Sequence, residues 1–215
     1  MKKKGIRSRS EVMDSFRKFI PEHFVAYVTD LFLAANVRFS IVRSRNTKLG
    51  DFRAGMNGER HRITVNGDLN PYSFLVTTLH EFAHLHTYDR FGPRVQPHGK
   101  EWKDAFKKLL IPVINSGELP TEVEHALMRS LNSIKASSCT DYHLSKALAQ
   151  HDTQKEGEEL LEKLAHNSRF LLNGRQFVKG PLRRKRYVCQ EVSSNRSYLI
   201  SSLAKVNLID HDRKE

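Results

Sequence analysis

The sequence predicts an α+β fold: a helical core with a small antiparallel sheet, followed by a small C-terminal β unit. Apolar residues recur at helical spacing before residue 35 and again between residues 72 and 131. Between these stretches, Val37, Phe39 and Ile41 lie at alternate positions, as in a half-buried strand. Beyond residue 166, short aromatic and β-branched runs are separated by Asn-Gly, Gly-Pro and Ser-Asn, which are typical of turns between antiparallel strands.

Two helices are expected before the first strand. Ser10 followed by Glu11 is typical of a helix start, and Pro21 is expected to begin a second helix. Residues 37–42 then form a strand, a weaker strand follows the turn-like NTKLGDF, and HRITVN supplies another. We expect these two or three short strands to pair antiparallel.

Three further helices are expected after the strands. The first runs from Tyr72 to about Tyr88 and is ended by Gly92-Pro93, the second runs from His98 to Leu110, and the third is opened by Pro120. Charge-rich residues then separate this part from the C-terminal unit. We therefore predict a first domain over residues 1–150, a charged linker with a short solvated helix over 151–166, and a basic β-rich unit over 167–215.

The composition points to an anionic partner. The chain has 36 Lys and Arg against 24 Asp and Glu, giving a formal charge of +12. Such an excess most often serves nucleic acid binding. The two cysteines, Cys139 and Cys189, form no CxxC pair, and no apolar run approaches the roughly 18 residues of a membrane span. We expect a cytoplasmic protein without a membrane partner.

A histidine-rich segment, TLHEFAHLHTYDR at residues 78–90, falls on the third helix. His80 and His84 are four positions apart, so both side chains leave the same face and can bind one metal ion. Glu81 lies beside them, where it can accept a proton from a metal-bound water without binding the metal. This HExxH arrangement predicts a zinc site. The alternative is an ordinary helix whose histidines are partly buried and hydrogen-bonded.

A catalytic zinc site needs a third protein ligand. His98 follows prolines and precedes Gly99, so the chain can turn back and return His98 to the pair, and we predict it as this ligand. Glu101 is the alternative. His86 should leave the helix on a different face and be structural or exposed. Arg90 stands where a metzincin would place its third histidine, which excludes that subclass.

These residues resemble the SprT-like metallopeptidase family, through LVTTLHEFAHLHTYDRFG followed by PHGKEWKDAF. The upstream KLGDFR and ITVNGDLNPYSF also look like that family's strand and pre-helix segments. The resemblance covers residues 36–110. It implies a zincin-like core, one zinc, and relatives such as Spartan that cleave proteins crosslinked to DNA. By the same resemblance, the C-terminal unit is similar to a zinc ribbon that has lost its metal, as in a bacterial-type member.

Cations cluster in the C-terminal unit and predict contacts with DNA, single- or double-stranded. The candidates are Arg175, Lys179, Arg183, Arg184, Lys185 and Arg186. Phe170, Phe177 and Tyr187 are interleaved with them and could stack on bases. Alternatively, these aromatic residues form the core of the β unit and the cations only face solvent.

Together these observations predict a zinc-dependent metallopeptidase that acts on protein substrates bound or crosslinked to DNA. In this hypothesis His80, His84 and His98 hold the zinc and Glu81 is the general base. Two alternatives remain. One is a non-enzymatic zinc module that binds DNA or protein, and the other is a zinc hydrolase of another substrate class, because HExxH specifies an activated water better than it specifies a peptide bond.

Overall fold

A computed structural model describes residues 8–45, 47–56, 58–132, 141–153 and 156–209, so Cys139 lies outside the described residues. The chain divides into two compact units, residues 1–152 and residues 153–215. Six helices and two sheets occur in the described part, which agrees with the predicted α+β class. None of its helices combines the length and apolar character that a bilayer span requires.

The first unit contains all six helices and three of the strands. In chain order the elements are α1 (Arg9–Phe16), α2 (Glu22–Ala34), β1 (Val37–Val42), β2 (Gly50–Arg53), β3 (His61–Asn66), α3 (Pro71–Phe91), α4 (Lys100–Ile114), α5 (Thr121–Asn132) and α6 (Tyr142–Ala149). Helix α1 begins earlier than predicted, because Ser8 and not Ser10 forms the N-terminal capping box with Glu11.

The three-stranded sheet has the order β1-β3-β2 and is mixed. The expected antiparallel pairing is therefore confirmed for one pair of strands and wrong for the other. Strand β2 pairs antiparallel with β3, whereas β1 pairs parallel with β3. The chain reverses direction twice between β1 and β3, which returns β3 to the direction of β1. Strand β3 takes the central place, and its Ile63 and Val65 are fully buried. Strand β2 is therefore left at an edge of the sheet.

Helix α3 runs through the middle of the first unit. Asn70 caps its N-terminus by accepting a hydrogen bond from the backbone N–H of Ser73, and Pro71 occupies the first turn. Twelve of its 21 residues are buried, as expected for a helix covered on most sides. The histidine motif therefore lies on a helix that is buried over more than half of its residues.

The second unit is a six-stranded sheet of order β4-β9-β5-β6-β7-β8. Its strands are β4 (Glu158–Leu160), β5 (Arg169–Leu172), β6 (Arg175–Arg183), β7 (Arg186–Glu191), β8 (Ser197–Ser201) and β9 (Lys205–Leu208), all paired antiparallel. The prediction of a solvated α-helix in the linker is wrong for the described residues. Residues 158–160 instead pair with β9, and a short 3-10 helix, Leu161–Lys163, buries Leu161 in the core of the second unit.

Candidate metal centre

Helix α3 provides two histidines one turn apart on the same face. His80 is buried and His84 is half-buried. Their rings lie with centroids 4.9 Å apart. The two rings therefore lie side by side and can bind the same ion.

The third histidine arrives from the loop that follows α3. Gly92 ends the helix with a positive φ of 71°, and the chain then runs through a short 3-10 helix to His98, just before α4. His98 itself has a φ of 61°. This left-handed backbone conformation costs a residue with a Cβ atom about 1–3 kcal/mol. Such strain persists only where the surroundings hold the residue in place, and here it turns His98 back towards α3.

The three histidines point the same nitrogen at one small volume. The Nε2 atoms are 3.2 Å apart for His80 and His84, 3.1 Å for His84 and His98, and 3.0 Å for His80 and His98. A tetrahedral ion with metal–nitrogen distances of about 2.0–2.1 Å separates its ligand nitrogens by about 3.3–3.4 Å. The cluster could therefore hold a metal ion after adjustments of a few tenths of an ångström.

Electrostatics favours the neutral, ligating form of these rings. Burial and, to a smaller extent, its two histidine neighbours lower the pKa of His80 to about 3. Burial and the neighbouring His98 lower the pKa of His84 to about 4, and burial also lowers the pKa of His98. Neutral imidazoles keep a lone pair for a metal. Three nitrogens at these distances cannot all be satisfied by sharing protons, so a cation is the partner that fits the donor set.

Trp102 forms an apolar floor under the cluster. It is 1% exposed, and its ring centroid lies 4.6 Å from that of His80, 5.3 Å from that of His84 and 4.6 Å from that of His98. On the sheet side, the ring of Phe52 stacks on His84 at 6.4 Å. These contacts fix the orientations of the imidazoles and lower the polarity around them.

Glu81 lies beside the histidines and against the edge strand. A β-carbon added to Gly50 would lie 2.5 Å from the Glu81 Oε1 atom, so only glycine allows strand β2 to approach this closely. Burial and, to a smaller extent, the nearby Asp51 raise the pKa of the Glu81 carboxyl to about 8, although a backbone hydrogen bond with Phe52 acts in the opposite direction. Glu81 is not one of the grouped ligands, which leaves its carboxylate available for proton transfer.

A cavity of about 240 Å³ lies next to His84. Its walls come from β2, from the end of α3, from the loop before His98 and from α4, and include Phe52, Tyr88, Val95, Pro97 and Trp102. The lining is mainly apolar, and the volume is large enough for one large apolar side chain.

The remaining candidates of the motif lie elsewhere. His86 is exposed, in line with the prediction that it does not face the metal. Glu101, the alternative third ligand, lines a separate groove between α3 and α4 together with His86. Within the described residues, the metal-ligand group that contains His98 has only three members and excludes Glu101.

Two of the basic residues predicted to contact DNA have protein partners. Lys179 is 3% exposed; its ammonium group donates to the carbonyl oxygen of Leu164 and lies 4.0 Å from the ring centroid of Tyr187. The prediction that Lys179 contacts DNA is wrong, because its cation is used inside the second unit. Arg175 is exposed, but its guanidinium pairs with Glu191 and stacks on Tyr198.

The other four basic residues remain at the surface. Arg183, Arg184, Lys185 and Arg186 span the tight turn between β6 and β7, and all four are exposed. Phe170 and Phe177 are buried in the core of this unit and Tyr187 packs against it. The alternative interpretation of these aromatic residues, as core residues, is therefore the correct one.

Sequence reasoning missed the part of the site contributed by strand β2. Gly50 and Phe52 contact Glu81 and His84, yet β2 was expected only as a weak strand. The available signal was a glycine inside a strand, which often marks close approach of another group. The contact of Trp102 with all three histidines was not predicted either.

Residues 21–125 match the model of the SprT-like family. This match and the curated relatives support the assignment of residues 21–125 to the SprT-like family. The matched region contains both α3 with its histidines and His98.

Curated relatives agree with this SprT-like assignment. The chain is 36% identical over 92 residues to Protein SprT of Pseudomonas fluorescens (strain SBW25), which covers 39% of this chain and 56% of that protein. It is 61% identical over 31 residues to Protein SprT of Glaesserella parasuis serovar 5 (strain SH0165), which covers 14% and 19%. The chain thus spans little more than half the length of the first of these relatives. No solved structure matches the chain.

Proposed function

We propose that this SprT-like protein is a zinc-dependent metallopeptidase that cleaves proteins bound or crosslinked to DNA. The observation that carries the proposal is the convergence of three histidine Nε2 atoms within 3.2 Å of one another, with Glu81 buried beside them. In the described residues the ligand group has three members, and a catalytic site needs three protein ligands and one open position.

Zinc fits this donor set better than harder cations do. Imidazole nitrogens suit zinc and other late first-row metals, whereas calcium and magnesium prefer oxygen ligands. A zinc ion bound here would polarise a substrate carbonyl and lower the pKa of its bound water towards about 7. His80, His84 and His98 would hold it, with Trp102 and Phe52 keeping their rings in place.

Glu81 has the position and the environment of a general base. A buried carboxyl with a raised pKa accepts a proton near neutral pH more readily than an exposed one. A divalent cation next to it would favour its charged form. Glu81 would accept a proton from the attacking water and deliver it to the leaving amine, and the backbone of β2 would hold its carboxylate in place.

Strand β2 and the adjacent cavity supply features that a peptide substrate could use. An edge strand presents unpaired backbone groups with which an extended peptide can pair. The cavity beside His84 is of a size to take one apolar side chain of such a peptide. Both features favour a peptide over a small substrate, because they extend the site along a chain.

Support for DNA comes from charge. The formal charge is +12, and the turn of residues 183–186 presents four adjacent exposed cations. Such groups bind phosphates by releasing counterions. A peptidase linked to this turn would be concentrated on proteins that already occupy DNA.

The decisive experiment compares Glu81→Gln with Glu101→Gln. Each removes one carboxylate, but Glu101 lies outside the ligand group. Purified protein is incubated with a histone in the presence of single-stranded DNA, of duplex DNA or without DNA, and cleavage is followed by electrophoresis. We expect DNA-stimulated cleavage that is lost in Glu81→Gln and kept in Glu101→Gln, with equal zinc content in both.

Other results would point to the alternatives. Zinc and DNA binding without any cleavage by the unmodified protein would indicate a binding module. Hydrolysis of simple esters or amides that depends on Glu81, with no cleavage of proteins, would indicate a hydrolase of another substrate class.

A further inference from the structure

The outer face of the three-stranded sheet carries a row of three arginines, which we call the arginine row. Arg38 on β1 is paired in register with Arg62 on β3, and Arg62 is paired with Arg53 on β2. All three side chains are exposed. Because adjacent strands lie about 4.8 Å apart, the three Cα atoms fall within about 10 Å of one another.

These side chains belong to the face that points away from the metal centre. Side chains alternate along a strand, and Phe52, between Asp51 and Arg53, stacks on His84. Ile63, next to Arg62, is fully buried on that same inner side. The arginine row therefore lies on the reverse of the sheet whose edge strand contacts the site.

Positive charge on this face exceeds negative charge. Asp51 receives hydrogen bonds from Arg53 at 2.9 Å and from Lys48 at 2.7 Å, so both of its oxygens are already engaged. Arg45 reaches the same face, where it donates to Thr64. Within the described residues, no ion pair is recorded for Arg38 or Arg62.

Such an arrangement costs stability in the free protein. Like charges directly opposite each other on neighbouring strands are destabilising. An anion that lies across the row removes this repulsion and gains charge-assisted hydrogen bonds, since guanidinium groups bind phosphate oxygens in pairs. A linear polyanion suits a straight row of cations better than a single small anion does.

We propose that the arginine row, with Lys48 beside it, binds the phosphodiester backbone of nucleic acid. The positions next to the row on the same face are Ser40, Thr64 and Asp51, all polar, so they give a lipid bilayer no apolar side chain to take up. This surface lies in the first unit and is separate from the turn of residues 183–186. Nucleic acid bound there would lie on the face of the sheet opposite to the metal centre.

The test is a binding titration of the full chain with a fluorescent 20-nucleotide single strand across a salt series. The variant Arg38→Thr/Arg62→Thr removes the two unpaired members of the row with a residue that suits strands. Its control, Lys107→Gln/Arg129→Gln, removes two exposed cations from helices α4 and α5. A third variant changes residues 183–186 to serine, which separates this surface from the basic turn.

Each phosphate contact contributes about 0.7 to the slope of log affinity against log salt for single strands, or about fivefold in affinity at 0.1 M salt. We expect the row variant to lose about 1.4 in slope and about 25-fold in affinity, the control to lose much less, and the losses of the row and turn variants to add. Thermal stability should not fall, because a like-charge pair has been removed.

Four results would overturn the proposal. Affinity and slope could equal those of the unmodified protein, or the control could lose as much as the row variant. Alternatively, the row variant could lose binding to vesicles with 30% anionic lipid while its binding to the oligonucleotide is unchanged. A fall of several degrees in the melting temperature of the row variant would assign the arginines to the structure of the sheet. Peptidase activity does not enter this readout, so the inference stands or fails apart from the proposed function.

Discussion

Replacing Gly50 by alanine should disable the site while leaving its metal in place. The added β-carbon would lie 2.5 Å from Glu81 Oε1, 2.8 Å from Glu81 Cγ and 2.8 Å from Thr77 Cγ2. Carbon contacts are favourable only from about 3.5 Å, so the carboxylate or the strand must shift by roughly 0.7–1 Å. The histidine nitrogens are not among the atoms that the new methyl group meets.

The size of the effect follows from the geometry. Misplacement of a reacting group by about 1 Å can cost about 10²-fold in rate. Overpacking of a filled interior costs about 1–3 kcal/mol. We therefore expect kcat for protein cleavage to fall about 100-fold in Gly50→Ala, with one zinc still bound per chain and with the fold intact below its lowered melting temperature.

Gly67→Ala is the matched control for this prediction. Its β-carbon would lie 2.8 Å from Ile41 Cγ2, so it crowds the same sheet at a point away from Glu81. It should lose similar stability but keep its kcat. The reasoning is refuted if Gly50→Ala cleaves at the normal rate with its zinc retained, or if Gly67→Ala loses as much activity, because the effect would then come from general weakening of the sheet.

Three further predictions follow from the site and from the second unit. Elemental analysis should find one zinc per chain, lost in His98→Ala and retained in Glu101→Ala; retention in both would remove His98 from the ligand set. Lys179→Met should destabilise the second unit by about 1–3 kcal/mol, because buried carbonyl groups lose their donor. In urea, the midpoint of the β signal in circular dichroism should fall, while the fluorescence midpoint of Trp102, the only tryptophan, should stay unchanged. A shift of both midpoints would show that the two units unfold together. Serine at residues 183–186 should flatten the salt dependence of DNA binding without altering zinc content or stability, and an unchanged slope would leave that turn as a solvated surface.

The histidine cluster could be predicted because the spacing of its first two members is local. His80 and His84 lie on one helix face whatever the rest of the fold does, since the period of the α-helix fixes their separation. His98 required only that the chain turn back after Gly92-Pro93, and the prolines and glycines around it indicated a turn. Its left-handed backbone could not be foreseen, because the conformation is imposed by tertiary contacts.

Burial of charged residues could not be predicted from composition. Lys179 stands in a basic, aromatic-rich stretch that is typical of a nucleic acid surface. Its alternation with Phe177 places both side chains on the inner face of β6, where Leu164 supplies a carbonyl oxygen. Only the pairing of β6 with its neighbours shows which cations point inward. The linker segment was misjudged for a related reason, because Leu161 looked like part of a solvated helix until the core that it completes was visible.

The arginine row shows what strand direction adds to such a prediction. Arg38, Arg53 and Arg62 are scattered in the sequence, and nothing local relates them. An antiparallel meander in sequence order would have paired β1 with β2 and left Arg38 and Arg62 on separate edge strands. The parallel pairing of β1 with β3 instead puts Arg38 directly opposite Arg62, and the antiparallel pairing of β2 puts Arg53 on the other side. Because this register is fixed by the buried Ile63 and Val65 on the other face, the sheet cannot slip to separate the charges without exposing its core. The repulsion is therefore built into the fold and is relieved most directly by a bound anion.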